Sequence, residues 1–444
     1  MSIFLALLGL GIAVIVSIRN ARAERVSKLV FLFSAVHVFF VFPKVLALAV
    51  SNGPAADYFR ASGITFTATY MALICYLATI FSYTLMAPKR VFYGIEKKAI
   101  YRLMSRFSMA VGGLGICAFL ALVINNGGLS GYFLELNFYQ MELTGATVWF
   151  IFLSRFVYPA IAAMALIVAY RPSRWALYLL ALFSFFPLMN VILLFRRSDL
   201  LFVGFIGLYA LSVSGRIKLS RGRAMALLVA MAFLITMFPY FRQDSISAAT
   251  GREYKVADMT VQERIADAFE VDVDDEVVRA ASSIDNAHRT GNYQFGAFVW
   301  DSLVSQFVPS TLLGEGVKNS LYLGRGSNSD QGYFDQESFF YVAPMGFAQA
   351  YEQFGPLGWI IFAAFGALIA RIERKSSKVS NQIFLMIAIP TVCLASSNDI
   401  TSIPARLLTF WILTRFLGKA KLEVLQSSRP INNGVPNART PLNM

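Results

Sequence analysis

The chain has 444 residues, of which 57% are hydrophobic and only 15% charged, against roughly 25% charged in soluble domains. That much apolar surface needs lipid around it, which excludes an ordinary soluble domain. The net charge of +13 would suggest nucleic acid in a soluble chain, but membrane topology accounts for it, and no nucleic-acid partner is expected.

A helix needs about 20 apolar residues to cross a bilayer. Runs of that kind lie at 2–18, 29–50, 64–86, 107–124, 146–169, 175–195, 199–214, 224–241, 355–370, 381–397 and 403–417. They predict an all-α polytopic membrane protein with about 11 transmembrane helices. The first run has no basic residue before it, while Arg19, Arg22, Arg25 and Lys28 follow. A secretory signal has the reverse order, so a retained helix with its N-terminus outside is expected. In the second run His37 and Lys44 share one side; the histidine reads as buried and structural, and the lysine can snorkel to the outer end. Cys75, Cys117 and Cys393 each sit in an apolar run without metal-like spacing. They read as small buried hydrophobes, and no metal or cofactor is expected.

The positive-inside rule tests this topology. Segments 19–28, 87–106, 170–174, 215–223, 371–378 and the tail from 418 carry 24 Lys or Arg, against the acids Glu24, Glu96, Glu373 and Glu423. They are the predicted cytoplasmic side. The long segment 242–338 holds 16 acidic and 8 basic residues and falls outside. A connection of that length is seldom a simple linker, so it reads as an extracytoplasmic cap. The chain thus divides into membrane helices 1–8 over 1–241, the cap over 242–338, a re-entrant segment with helices 9–11 over 339–417, and a cytoplasmic tail over 418–444. Within the cap, the stretch from Val261 predicts surface helices. The aromatic stretch from Asn292 is expected at the membrane surface, and 339–351 is too short and Pro/Gly-broken for a firm span.

Several charges stand where lipid would oppose them. A Lys or Arg at the bilayer centre costs roughly 2.5–3.5 kcal/mol on insertion scales. Arg155 lies nine residues into its run, Arg196 and Arg197 form an outside turn, and Arg406 begins the last run. No Asp or Glu lies inside any run except at outer ends, as at Asp199 and Asp399. An external anion would complement these cations, and arginine suits phosphate because it stays charged and bonds in a bidentate way. His288, between Asp285 and Arg289, is of a residue type that serves as a general base; an ordinary exposed histidine is the plainer reading. The stretch from Leu323 lacks the Gly-Lys-Ser/Thr ending of a phosphate loop and lies on the outside, so nucleotide binding is rejected.

Three pieces carry a family resemblance over about residues 190–370: LLFRRSDLLFVGF from Leu193, NYQFGAFVWDSLVSQFVP from Asn292, and FAQAYEQFGPLGWIIFAAFG from Phe347 with its FG-x-x-G step at Phe354, Gly355 and Gly358. In this order, around a long outside loop, they resemble the oligosaccharide repeat-unit polymerases of bacterial surface polysaccharides, the Wzy-type O-antigen polymerases. The resemblance implies a GT-C-like, metal-independent glycosyltransferase of the bacterial inner membrane. Its donor and acceptor would be undecaprenyl-pyrophosphate-linked glycans, joined at the outer face into O-antigen, capsule or exopolysaccharide. It also implies membrane lipid and a polysaccharide chain-length regulator as partners. The leaving pyrophosphate is best stabilised by preorganised cations. Arg196 and Arg197 are the expected catalytic cations, with His288 or Glu337 as base. Arg155, Asp199, Arg289, Tyr293, Arg325, Tyr351 and Arg406 are expected to bind substrate. An O-antigen ligase-like transferase has a similar outline and stays open. So does a lipid-linked sugar flippase, although paired repeats and intramembrane carboxylates, frequent in transporters, are missing from the sequence.

Overall fold

The computed structural model describes residues 1–20, 28–87, 93–94, 98–129, 131–132, 146–194, 197–213, 276–308, 313–323, 345–397, 400–418 and 423–424. The run at 224–241, most of the first half of the cap and nearly all of the tail lie outside these.

The apolar runs form helices. Helix α1 (Ser2–Asn20) is followed by α2 (Lys28–Val36) and α3 (Phe42–Val50), joined by one π-helical turn at His37–Val41. Pro43 explains that turn: it has no N–H to return to Phe39, its ring crowds that carbonyl, and the helix widens. Then come α4 (Pro54–Ala61), α5 (Ile64–Met86), α6 (Lys98–Asn125), α7 (Ala146–Ser154), α8 (Val157–Tyr170), α9 (Arg174–Leu194) and α10 (Arg197–Val213). The cap contributes α11 (Glu276–Thr290), α12 (Ala297–Phe307) and α13 (Glu315–Ser320). The chain ends with α14 (Gly346–Phe354), a 3-10 turn at Gly355–Leu357, α15 (Trp359–Glu373), α16 (Val379–Leu394) and α17 (Ile403–Arg415).

Among the described residues, six helices are long and apolar enough to cross a membrane, or seven if the bent pair Gly346–Leu357 and Trp359–Glu373 counts as one. That pair turns through 109°, so the chain approaching α15 does not continue its line. Runs 199–214 and 381–397 form shorter apolar helices of 17 and 16 residues. Outside the helices, Tyr93–Gly94 (β1) pairs antiparallel with Glu423–Val424 (β2), in the register Tyr93↔Val424. The segment after α5 and the segment after α17 therefore lie on one side.

Helix α16 is the axis. Every residue from Val379 to Leu394 is buried, and α2, α8, α10, α15 and α17 pack around it. Lipid supplies no hydrophobic force between helices, so close packing of small residues and polar contacts must hold them. The most extensive packing joins α5 and α15. There Gly366 admits no side chain, because a Cβ would collide with the Thr79 carbonyl and Ser82 Oγ. The far end of this pair is tied by Tyr83 to Glu373 and by Arg374 Nε donating to the Met86 carbonyl at 2.7 Å. His37 is buried, its Nδ1–H donating to the Phe33 carbonyl at 2.8 Å. Of the cysteines, Cys75 and Cys393 are buried, whereas Cys117 is exposed on α6, unlike the expectation.

The cap departs most from expectation. Of the stretch from Val261 only 276–281 is described, and it opens α11, which is buried from Val277 to Ala287 except at the half-buried Arg279. It lies among α3, α4, α5 and α14. Ala280, Ala281, Ser282, Ser283 and Ala287 make it thin enough to sink there. Its one buried carboxylate, Asp285, is met by Arg289 at 2.9 Å and by the Tyr58 hydroxyl of α4 at 3.1 Å. The cap is thereby built into the bundle instead of resting on it.

Candidate functional site

The helix run containing Arg155 is interrupted at that residue. Helix α7 stops at Ser154, and α8 starts at Val157 after a tight turn in which Phe156 N–H bonds the Leu153 carbonyl at 2.9 Å. Arg155 stands in that turn. It lies six residues into the candidate span Trp149–Tyr170, about 9 Å along a helix, and level with the first turns of α10 and α17. Tyr158, in the first turn of α8, donates its hydroxyl to Asp199 Oδ1 at 2.9 Å. The charges of Asp199, Arg155 and Arg406 all act on this phenol. Its ring packs on Phe202 of α10 with centroids 4.6 Å apart.

Three residues distant in sequence, Arg155, Asp199 and Arg406, thus gather around a tyrosine that the sequence reading missed. Two guanidiniums and one carboxylate make up this group with the phenol. It is built from the turn before α8 and the first turns of α8, α10 and α17. Asp199, the anion at the outer end of its run, stands among these cations. The overlooked signal was a tyrosine three residues after Arg155, on the same helical side, within an otherwise apolar stretch.

A second group forms where α11 meets α14. His288 Nδ1 lies 3.2 Å from the Tyr351 hydroxyl. Tyr351 is 2% exposed and hydrogen-bonds Tyr293, with the two rings at 76° and 6.0 Å between centroids. Arg289, beside His288, is held by Asp285. The FG-x-x-G step shapes this corner. Gly355 takes a left-handed φ of 58° and would bring a Cβ within 3.2 Å of the Tyr293 hydroxyl. The chain at 294–296 is stapled to the end of α14: Gln294 N–H to the Glu352 carbonyl at 3.1 Å, Phe295 N–H to the Gln353 carbonyl at 2.8 Å, and Gly296 N–H to Gln353 Oε1 at 3.1 Å. His288, Arg289, Tyr293 and Tyr351 are thereby brought together. The imidazole is exposed and the two phenols lie deeper, so the group can pass a proton outward.

Helix α12 connects the two groups. Its N-cap Gly296 lies against Phe354, while Phe307 at its other end meets the Phe152 ring of α7 at 6.0 Å. Eleven residues make a separation of about 16 Å. Of the other expected site residues, Arg196, Arg325 and Glu337 lie outside the described residues. Arg197 opens α10, two residues before Asp199, and only its backbone is described. Among the described residues, no three of His, Cys, Asp or Glu gather to hold a metal ion. The chain matches no protein-family model, no curated protein and no solved structure.

Proposed function

We propose that this protein is a polymerase that joins polyprenyl-pyrophosphate-linked oligosaccharide repeat units into a surface polysaccharide. It works at the outer face of a bacterial inner membrane, with its N-terminus outside, its C-terminus in the cytoplasm and about eleven membrane helices in a GT-C-like arrangement. The observation that carries this reading is the meeting of Arg155 and Arg406 with Tyr158 and Asp199. A pyrophosphate matches it, because fixed cations in a dry site stabilise charge that grows as a leaving group departs. The acceptor's hydroxyl oxygen attacks the anomeric carbon of the donor. The bond from that carbon to the pyrophosphate oxygen breaks, and its electron pair leaves with the polyprenyl pyrophosphate. Arg155 and Arg406 hold that charge, with Arg196 and Arg197 as the further cations expected from the sequence. The acceptor's proton passes to water, because the His288 group stands about 16 Å from the arginines, beyond hydrogen-bond reach of the reacting hydroxyl. Because a pyrophosphate already leaves readily, little help from a base is required.

The test is a reconstituted assay with a defined polyprenyl-pyrophosphate repeat unit, read as a gel ladder. Arg155→Ala and Arg406→Ala should each lower turnover by about 100-fold, the size seen when one preorganised charge stabiliser is removed. Lysine at either position should restore part of it, since the charge returns without the bidentate fork. Ladders of normal rate from both alanine variants would refute the assigned site.

A further inference from the structure

Helix α12 carries an apolar stripe open to its surroundings. Val299, Leu303 and Phe307 recur every four residues, hence on one side, with Trp300 beside them. Val299 is 37% exposed, Trp300 46% and Phe307 38%, and Leu303 is half-buried. The rest of the helix is engaged by the protein. Phe298 and Ser302 are buried, and α12 packs on α17. Helix α13 folds back beside it: the Leu323 N–H bonds Asp301 Oδ1 at 2.8 Å, and Lys318 Nζ donates to the Ser305 carbonyl at 3.1 Å. The indole N–H of Trp300 donates to the Leu321 carbonyl at 2.7 Å. The polar atom of that side chain is therefore satisfied within the chain, and an apolar medium around its ring would orphan nothing.

Both ends of α12 are fixed at the ends of candidate membrane spans. At its start Gly296 lies against Phe354, at the corner from which α15 sets off. At its other end Phe307 meets the Phe152 ring of α7, and Phe152 packs edge-on against Trp149, the first residue of the span Trp149–Tyr170. A helix held between two span ends lies across the bundle, not along it. We infer that α12 lies in the plane of the membrane surface, with Val299, Trp300, Leu303 and Phe307 seated in lipid. The stripe is continuous with surface that lipid already covers: Trp149 at one end and Leu357, at the corner before α15, at the other are both exposed. Tryptophan gathers at that level of a bilayer, and a helix lying there sinks its apolar face about 5–10 Å into the boundary between headgroups and acyl chains. Asp301 and Lys318 are engaged on the side of α12 away from the stripe. Phe295 extends the stripe before the helix begins. It is 74% exposed and takes a left-handed φ of 47°, which is costly for a bulky residue, and its N–H is tied to the Gln353 carbonyl. The seating is independent of the polymerase reading.

The experiment places an environment-sensitive dye on single cysteines of the full chain in phosphatidylcholine vesicles. The variants are Val299→Cys, Leu303→Cys and Ser305→Cys, each combined with Cys117→Ser, since the other two native cysteines are buried. Ser305 is exposed and, six residues from Val299, stands on the far side of α12, so it is the control within the same helix. Lipid carrying a nitroxide just below the headgroup should quench the dye at 299 and 303. Iodide, an ion excluded from hydrocarbon, should quench it there about tenfold less than at 305. Equal quenching by iodide at all three positions would show the stripe open to water and overturn the seating. Loss of both kinds of quenching at 299 and 303 would show protein over the stripe, such as a second copy of this chain, and would overturn it equally. Polymer formation enters none of these readings, so the seating and the polymerase stand or fall separately.

Discussion

Substitution of Gly358 by alanine tests how the bent pair is held. Gly358 sits at the corner between α14 and α15, where a Cβ would collide with the Ala350 carbonyl and stand 2.9 Å from the Tyr351 nitrogen. Both obstacles are backbone, so no side chain can rotate away. Carbon contacts are comfortable near 3.5–4 Å, so the corner must open by on the order of 1 Å. Overpacking of this kind costs roughly 1–3 kcal/mol. The residue it would push, Tyr351, is the one His288 contacts. Gly358→Ala should therefore lower the midpoint of thermal unfolding in detergent and also reduce transferase activity. Gly113→Ala on α6 is the control: its Cβ would meet nothing within 4 Å, and alanine is the better helix former by about 1 kcal/mol. Its midpoint should be unchanged or higher. If Gly358→Ala melts with the wild type, the corner is not held as described.

Tyr158→Phe removes the hydroxyl that bonds Asp199 at 2.9 Å. It should lower the initial rate of ladder formation roughly 5–10-fold, as loss of one hydrogen bond predicts, with the unfolding midpoint as a control for folding; an unchanged rate would remove Tyr158 from the site. Tyr58→Phe breaks the tie to Asp285 and should cost about 1 kcal/mol in detergent unfolding. Equal stability would show that α11 does not depend on α4. Maleimide labelling followed by mass spectrometry should spare the buried Cys75 and Cys393 until denaturant is added. Rapid labelling of Cys393 in the folded protein would contradict the central position of α16.

What the sequence could show was what a local window contains. Runs such as 64–86 and 146–169 are apolar over a membrane's thickness, and α5, α7 and α8 lie where those runs predict. The interruption at Arg155 was hidden because apolar residues continue on both sides, and only the turn of the chain reveals it. The burial of α11 was equally hidden: an acidic, Ala- and Ser-rich stretch marks a helix but not what covers it. Candidate residues were picked by charge in the wrong surroundings, which located Arg155, Asp199 and Arg406 one by one. Their meeting around Tyr158 depends on contacts across 41 residues and more, beyond any local pattern.

The central claim is that a glycosidic bond forms while a polyprenyl pyrophosphate is released. The most direct measurement uses a repeat unit with a radiolabelled lipid in vesicles containing the purified protein, counting free labelled polyprenyl pyrophosphate against new sugar–sugar linkages. The account predicts one lipid pyrophosphate released for each linkage made, with both lost together in Arg155→Ala. Movement of intact lipid-linked sugar from one leaflet to the other, without release, would contradict it and identify a transporter.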